Sequence, residues 1–156
     1  MTYVSCNNLG MMIEDTGVTR AIACFVARTS GTLEIGGTSK HTVTFTDTQK
    51  INALLSATDG GRVIVTQDIE MVGDGGVTSA VATVISLGII NIGMTSGNGL
   101  GRAPLVTATS AAFTGRRYRA SMNGTIRVDT VVAGDENFFP GTIAGVLETG
   151  GQYSAY

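Results

Sequence analysis

The sequence holds no tryptophan, one histidine, two cysteines, two prolines and little charge: Asp, Glu, Lys and Arg make up 14% of its 156 residues. Each scarcity removes a class of protein. A single histidine, His41, and two well-separated thiols, Cys6 and Cys24, do not supply the common zinc arrangements. Two free thiols are expected, with a Cys6–Cys24 bridge as the alternative. The opening "MTYVSCNNLG" lacks a basic n-region and a long apolar run, so no secretory signal is expected. Without tryptophan, and with few aromatics of any kind, a sugar-cleaving groove lacks its usual stacking platforms. Low charge also argues against a solitary monomer, whose surface normally carries more of it. Part of the exterior is expected to be covered by neighbours.

Glycine and threonine are abundant instead, at 22 each, beside 15 valines and 12 isoleucines. Thr, Val and Ile are β-branched and suit a pleated sheet, and Gly supplies turns and bulges. Short strand candidates run from Tyr3–Ser5 to Thr142–Leu147. Among them are His41–Thr46, Arg62–Val72, Val77–Leu87, Ile89–Met94, Leu105–Phe113, Arg117–Met122 and Thr125–Val132. Gly-rich turns divide them, and Pro104 and Pro140 bar few from central positions. The expected fold is mainly β: one domain over 1–156, an antiparallel β-sandwich or barrel. One short amphipathic helix is expected over about residues 47–58. There Thr46 or Asp47 would cap an Ile51, Leu54, Leu55 stripe, and Gly60 or Gly61 would stop it. "DGG" at 59, "DGG" at 74 and "ETGG" at 148 recur at unequal spacing and read as turns, not as a repeat array. The uncharged stretch from Gly75 to Gly101 is long enough to span a bilayer, yet reads better as two buried strands broken near Gly88.

Catalytic patterns are sparse. His41 shares a strand face with Val43 and Phe45 in "KHTVTFT" and has no nucleophile context, so it reads as a structural or partly exposed histidine. Asp68 and Glu70 project from one strand face, as the two carboxylates of a glycosidase would, but Val65, Ile69 and Met71 supply the buried face and leave both acids on the solvated one. "GNGLGR" is neither a Walker loop nor a dinucleotide fingerprint, and "GDGG" around Asp74 lacks the alternating carboxylates of a calcium loop. No cofactor, no metal and no enzymatic activity are expected.

The remaining asymmetry is basic. Between Gly75 and Val128 there is no acidic residue but five arginines: Arg102, Arg116, Arg117, Arg119 and Arg127. In "FTGRRYRASMNGTIRV" an Asn123-Gly124 turn would join strands 117–122 and 125–128 as a hairpin. Its polar face would carry Arg117, Arg119 and Arg127, with Asp129 opposite. Such a face can be solvated, can dock on protein carboxylates, or can grip nucleic acid. Nucleic acid is the least favoured of the three, because aromatic interleaving and a Lys cluster are missing. The five arginines are therefore the candidate protein-interaction residues.

The stretch "GTLEIGGTSKHTVTFTDTQKINALLSATDGG", the charge-poor strands after it and the Gly/Thr richness together resemble virion structural proteins of tailed bacteriophages, of the capsid decoration (cement) type. The resemblance implies a virion protein made in the host cytoplasm, with no membrane partner. It would assemble with copies of itself, a trimer favoured, and bind the major capsid protein or another virion protein, its chain ends acting as arms. A tail tube or neck ring subunit, or a glycan-binding β-module of a virion fibre, are the alternatives.

Overall fold

A computed structural model describes residues 3–7, 10–13, 23–45, 50–93, 102–129 and 135–156. Over these residues the chain is a β-solenoid of fifteen strands in three parallel sheets. Sheet A stacks β1 (Tyr3–Asn7), β4 (Thr32–Gly36), β7 (Arg62–Val65), β10 (Ile89–Ile92), β13 (Thr125–Val128) and β15 (Gln152–Ala155). Sheet B stacks β2 (Gly10–Ile13), β5 (His41–Phe45), β8 (Ile69–Val72) and β11 (Val106–Ala108). Sheet C stacks β3 (Ala23–Arg28), β6 (Lys50–Thr58), β9 (Gly76–Ile85), β12 (Tyr118–Ala120) and β14 (Val146–Leu147). The chain visits A, B and C in turn, and each circuit forms one rung on the last. In the fifth rung, among the described residues, no strand stands in sheet B.

This overturns the antiparallel sandwich or barrel. The expected strands mostly stand near their expected places, but each pairs in parallel with strands one rung away. Alternating apolar and polar positions are common to both architectures, because each sheet in either one has a single buried face. Arg62–Val72, read as one strand, breaks at Thr66–Asp68 where the chain turns from sheet A into sheet B. The uncharged stretch does divide near Gly88, into β9 and β10. Among the described residues no helix is long and apolar enough to cross a membrane.

The helix expected over about 47–58 is also corrected: residues 50–58 form β6, while 46–49 lie outside the described residues. β6 is an inner strand of sheet C, hydrogen-bonded to β3 and β9. Ile51, Ala53, Leu55 and Ala57 are buried, and Leu54 between them is buried too. Burial at both alternations produces a near-continuous apolar run, whose i, i+3, i+4 subset mimics a helical stripe. A bulge fits the pair together: β6 advances from Ile51 to Ala53 while β9 advances from Val77 to Ala80.

The core is built of stacked rows. Leu33, Val63, Ile90 and Ile126 lie in register in sheet A, as do Ile35, Val65, Ile92 and Val128. Sheet B adds Val43, Phe45, Ile69 and Met71, all buried. Phe139 is wholly buried in the same cluster, and Tyr118 stacks on Tyr153 at 4.2 Å.

From sheet C to sheet A the chain turns five times in one way. Thr29-Ser30, Asp59-Gly60, Ser86-Leu87, Met122-Asn123 and Thr149-Gly150 are pairs of consecutive positive-φ residues. Each pair is followed by a glycine, Gly31, Gly61, Gly88, Gly124 or Gly151, whose N–H closes the turn onto the residue three back. This is type I′ turn geometry. The turns bond to one another as well: the N–H of Ser30 donates to Asp59, Gly60 to Ser86, Leu87 to Met122 and Asn123 to Thr149, at 2.9–3.2 Å. The third-position glycine is needed for space. A Cβ on Gly61, Gly88 or Gly151 would fall on the carbonyl oxygen of Ala27, Ala57 or Ala120 in the rung before. The Gly-Gly signatures at 60–61 and 150–151 thus do belong to a repeat, with glycines roughly 30 residues apart.

Candidate ligand groove on sheet C

Parallel, in-register stacking turns single residues into rows. On sheet C, Val26, Ser56, Thr83, Arg119 and Val146 stand in one row, and Arg28, Thr58 and Ile85 in the next. Together with Asn52, Thr78, Ser79, Arg116 and Glu148 these rows, Val26 excepted, line a groove of about 710 Å³. It runs from β3 to β14, across all five strands of the sheet. Its walls are hydroxyls, an amide and guanidiniums, with Ile85 and Val146 as the apolar patches.

Three guanidiniums and one carboxylate line the groove. Arg119 donates from Nε and Nη2 to Glu148 Oε2, at 3.0 and 2.8 Å. Arg116 Nη1 donates to the Ala144 carbonyl at 2.9 Å. Arg28 is exposed at the β3 end. Thr83 is only 5% exposed, and its Oγ1 has no hydrogen-bond partner. A buried hydroxyl left without a partner forfeits its hydration with nothing in return.

The five arginines singled out from the sequence do not form one face. β12 and β13 are not paired; the Asn123-Gly124 turn is the corner that carries the chain from sheet C to sheet A, so the expected hairpin is corrected. Arg116 and Arg119 share the groove. Arg127 stands exposed on sheet A, in register with Asn91 and Ser154. Arg117 adjoins Tyr118, where its charge opposes the rise that burial and Glu136 impose on the Tyr118 phenol. Arg102 lies elsewhere, gripping Asp68 with Nη1 and Nη2 at 2.9 and 2.6 Å. The carboxylate facing Arg119 is Glu148, not Asp129, because rung stacking rather than a hairpin decides the neighbours.

Asp68 and Glu70 are tied into separate ion pairs, Asp68 with Arg102 and Glu70 with Lys40. Burial alone would raise the Asp68 pKa; the Arg102 hydrogen bond, the Leu105 amide, and the charges of Arg102 and Lys40 outweigh it and hold the carboxyl below its ordinary range. His41 shares its strand face with Val43 and Phe45 as expected, and that face is inward, so the ring is wholly buried and not partly exposed. Its Nε2 lies 2.8 Å from the Gly36 carbonyl, which can only accept, so this nitrogen carries the proton. Ser110 donates to Asp74. "GNGLG" at 97–101 lies outside the described residues. Cys24 is a free thiol, and burial pushes its pKa up to about 12. Among the described residues no group of three His, Cys, Asp or Glu is placed to hold a metal ion.

Sequence reasoning missed Arg28, Asn52, Ser56, Thr58, Thr78, Ser79, Thr83 and Glu148. Their signal is polar residues at alternate positions on strands one rung apart, readable only once the rung period is known. Compared with known proteins, the chain matches no family model, no curated protein and no solved structure.

Proposed function

We propose that this chain is a non-enzymatic structural subunit of a virus particle, a short rod that associates side by side with copies of itself and docks on a shell or fibre. One observation carries the association. At the sheet C to sheet A corners, Leu87 takes φ 63° and Met122 takes φ 51°. They are 64% and 54% exposed. A left-handed backbone costs a bulky residue on the order of 1–2 kcal/mol. The positions equivalent to Leu87 hold Ser30, Gly60, Asn123 and Gly150. Leu87 therefore carries backbone strain without burying its side chain within the chain. It lies beside Met122, whose carbonyl accepts its N–H at 3.1 Å, and Ile89, 36% exposed, stands two residues further along the chain.

An apolar patch at this corner meets the same patch on a second copy. A low-charge surface favours such packing, and added interfaces stabilise an assembly by mass action. The virion context comes from the Gly/Thr-rich, charge-poor composition that resembles decoration proteins. Sedimentation velocity on the full chain tests the association. The wild type is expected to be an oligomer, a trimer by preference, and Leu87→Asn with Met122→Asp a folded monomer. A wild type that stays monomeric at high concentration and does not bind empty shells defeats the reading.

A further inference from the structure

Beyond assembly, and independent of it, we propose that the sheet C groove binds a chain-like acidic glycan, a carboxylated or sulfated oligosaccharide lying across the strands. Three observations meet there. The first is shape: the groove crosses five strands, which at about 4.8 Å per strand spacing is roughly 19 Å, long enough for several sugar units. The second is charge: the groove is lined by Arg28, Arg116 and Arg119 but by a single acid, Glu148, which Arg119 already holds. An anionic ligand gains two further guanidiniums and competes for the third, whose planar donors match carboxylate and sulfate oxygens. The third is the Thr83 hydroxyl, buried at the groove floor between Ser56 and Arg119 in its row, with no partner in the protein. A polar ligand atom reaching the floor would supply the missing hydrogen bond.

The wall chemistry selects among anions. A single-stranded nucleic acid needs aromatic platforms for its bases, and no aromatic side chain lines this groove. Without such platforms a sugar chain too would be held by charge and hydrogen bonds and not by stacking, and hydroxyl and amide walls match the alternating donors and acceptors of sugar hydroxyls.

The test is calorimetric titration of the full chain with hexamers of galacturonate and of chondroitin sulfate. Neutral maltohexaose, polyuridylate and inorganic sulfate are the comparison ligands. The expected result is saturable binding of an acidic hexamer, weakened by salt, with maltohexaose and sulfate alone at least tenfold weaker. Thr83→Val, which keeps shape and deletes the hydroxyl, is expected to weaken that binding about tenfold while leaving the melting temperature unchanged or raised. Arg28→Gln, at the exposed end, is expected to weaken binding similarly and to flatten the salt dependence. Affinity and melting temperature falling together in Thr83→Val would mean a purely structural hydroxyl and overturn the proposal. So would equal affinity for the neutral hexamer, preference for polyuridylate, or no binding of either acidic hexamer.

Discussion

Two corners of the same rungs are solved by opposite means. Between sheets C and A the turn is a backbone device, two left-handed residues and a glycine, repeated five times while the side chains change freely. Between sheets A and B the described turns rely on buried side chains. Gln67 Nε2 donates to the Gly37 carbonyl at 3.0 Å, its Oε1 accepts from the Asp68 N–H at 3.0 Å, and His41 reaches the Gly36 carbonyl. Backbone periodicity therefore constrains sequence only where a side chain would collide, whereas a side-chain solution ties each rung to its own residues.

The comparison breaks first at Gly61. Its φ is ordinary, but a Cβ would strike the Ala27 carbonyl, and backbone cannot rotate away as a side chain can. Gly61→Ala is expected to cost about 3 kcal/mol in urea unfolding. Its neighbour Gly60 has φ +73° and nothing nearer to its Cβ position than Ser30 Oγ at 3.3 Å. Gly60→Ala should lose only about 1 kcal/mol, from the left-handed backbone alone. Equal losses at the two glycines would mean that the rung-to-rung collision does not govern the corner.

The other corner should break at His41. His41→Ala removes a wholly buried ring and strands the Gly36 carbonyl, at an expected cost of about 2 kcal/mol by the same measurement. A loss within error would show the A to B corner to be held by its backbone bonds, such as the Thr66 N–H to Ile35 carbonyl, and the two corners to be alike.

These corners also explain what could be read from the sequence. Strand positions were legible because inward pairs such as Ile90–Ile92 and Ile126–Val128 enclose a polar residue, Asn91 or Arg127, as they would in any β fold. Pairing was not. The corner glycines are unequally spaced, and their turn partners include Ser, Thr, Asp, Asn, Leu and Met. β6 misled because Leu54, off the inward row, is buried as well. At the groove, the sequence offered Arg116 and Arg119 through charge alone. Thr83 was invisible among 22 threonines until stacking set it between Ser56 and Arg119.

A smaller effect sharpens the contrast through pH. A corner made of backbone bonds does not titrate, whereas the A to B corner carries Asp68, whose carboxyl is held below its ordinary value of 3.8. For a depressed acid the stabilisation is fully present above the unfolded value and is lost as pH falls through the folded one. Asp68→Asn is expected to cost about 1 kcal/mol at neutral pH. It should also flatten the decline of stability below about pH 4, read from melting temperatures across that range. An unchanged acid limb would assign the decline to other carboxylates.

The least effect at neutral pH belongs to Cys24, on the strand that leads into the first C to A corner. Its thiol is neutral in both folded and unfolded chains there, so Cys24→Ala should cost no more than about 0.8 kcal/mol, the worth of one buried methylene. The alkaline limb is where it acts. Burial raises the thiol from 9.0 to about 12, so above pH 9 the unfolded chain releases a proton that the folded chain keeps. Stability must then fall as pH climbs from 9 toward 12, and Cys24→Ala should make that fall shallower. The Tyr153 phenol, raised by burial and by the charges of Tyr118, Asp135 and Glu136, adds its own loss above pH 10. The double variant with Tyr153→Phe should therefore be flatter than either single one. If Cys24→Ala leaves the limb between pH 9 and 10 untouched, the thiol is better solvated than its surroundings imply, and the alkaline response belongs to the stacked Tyr118 and Tyr153 phenols.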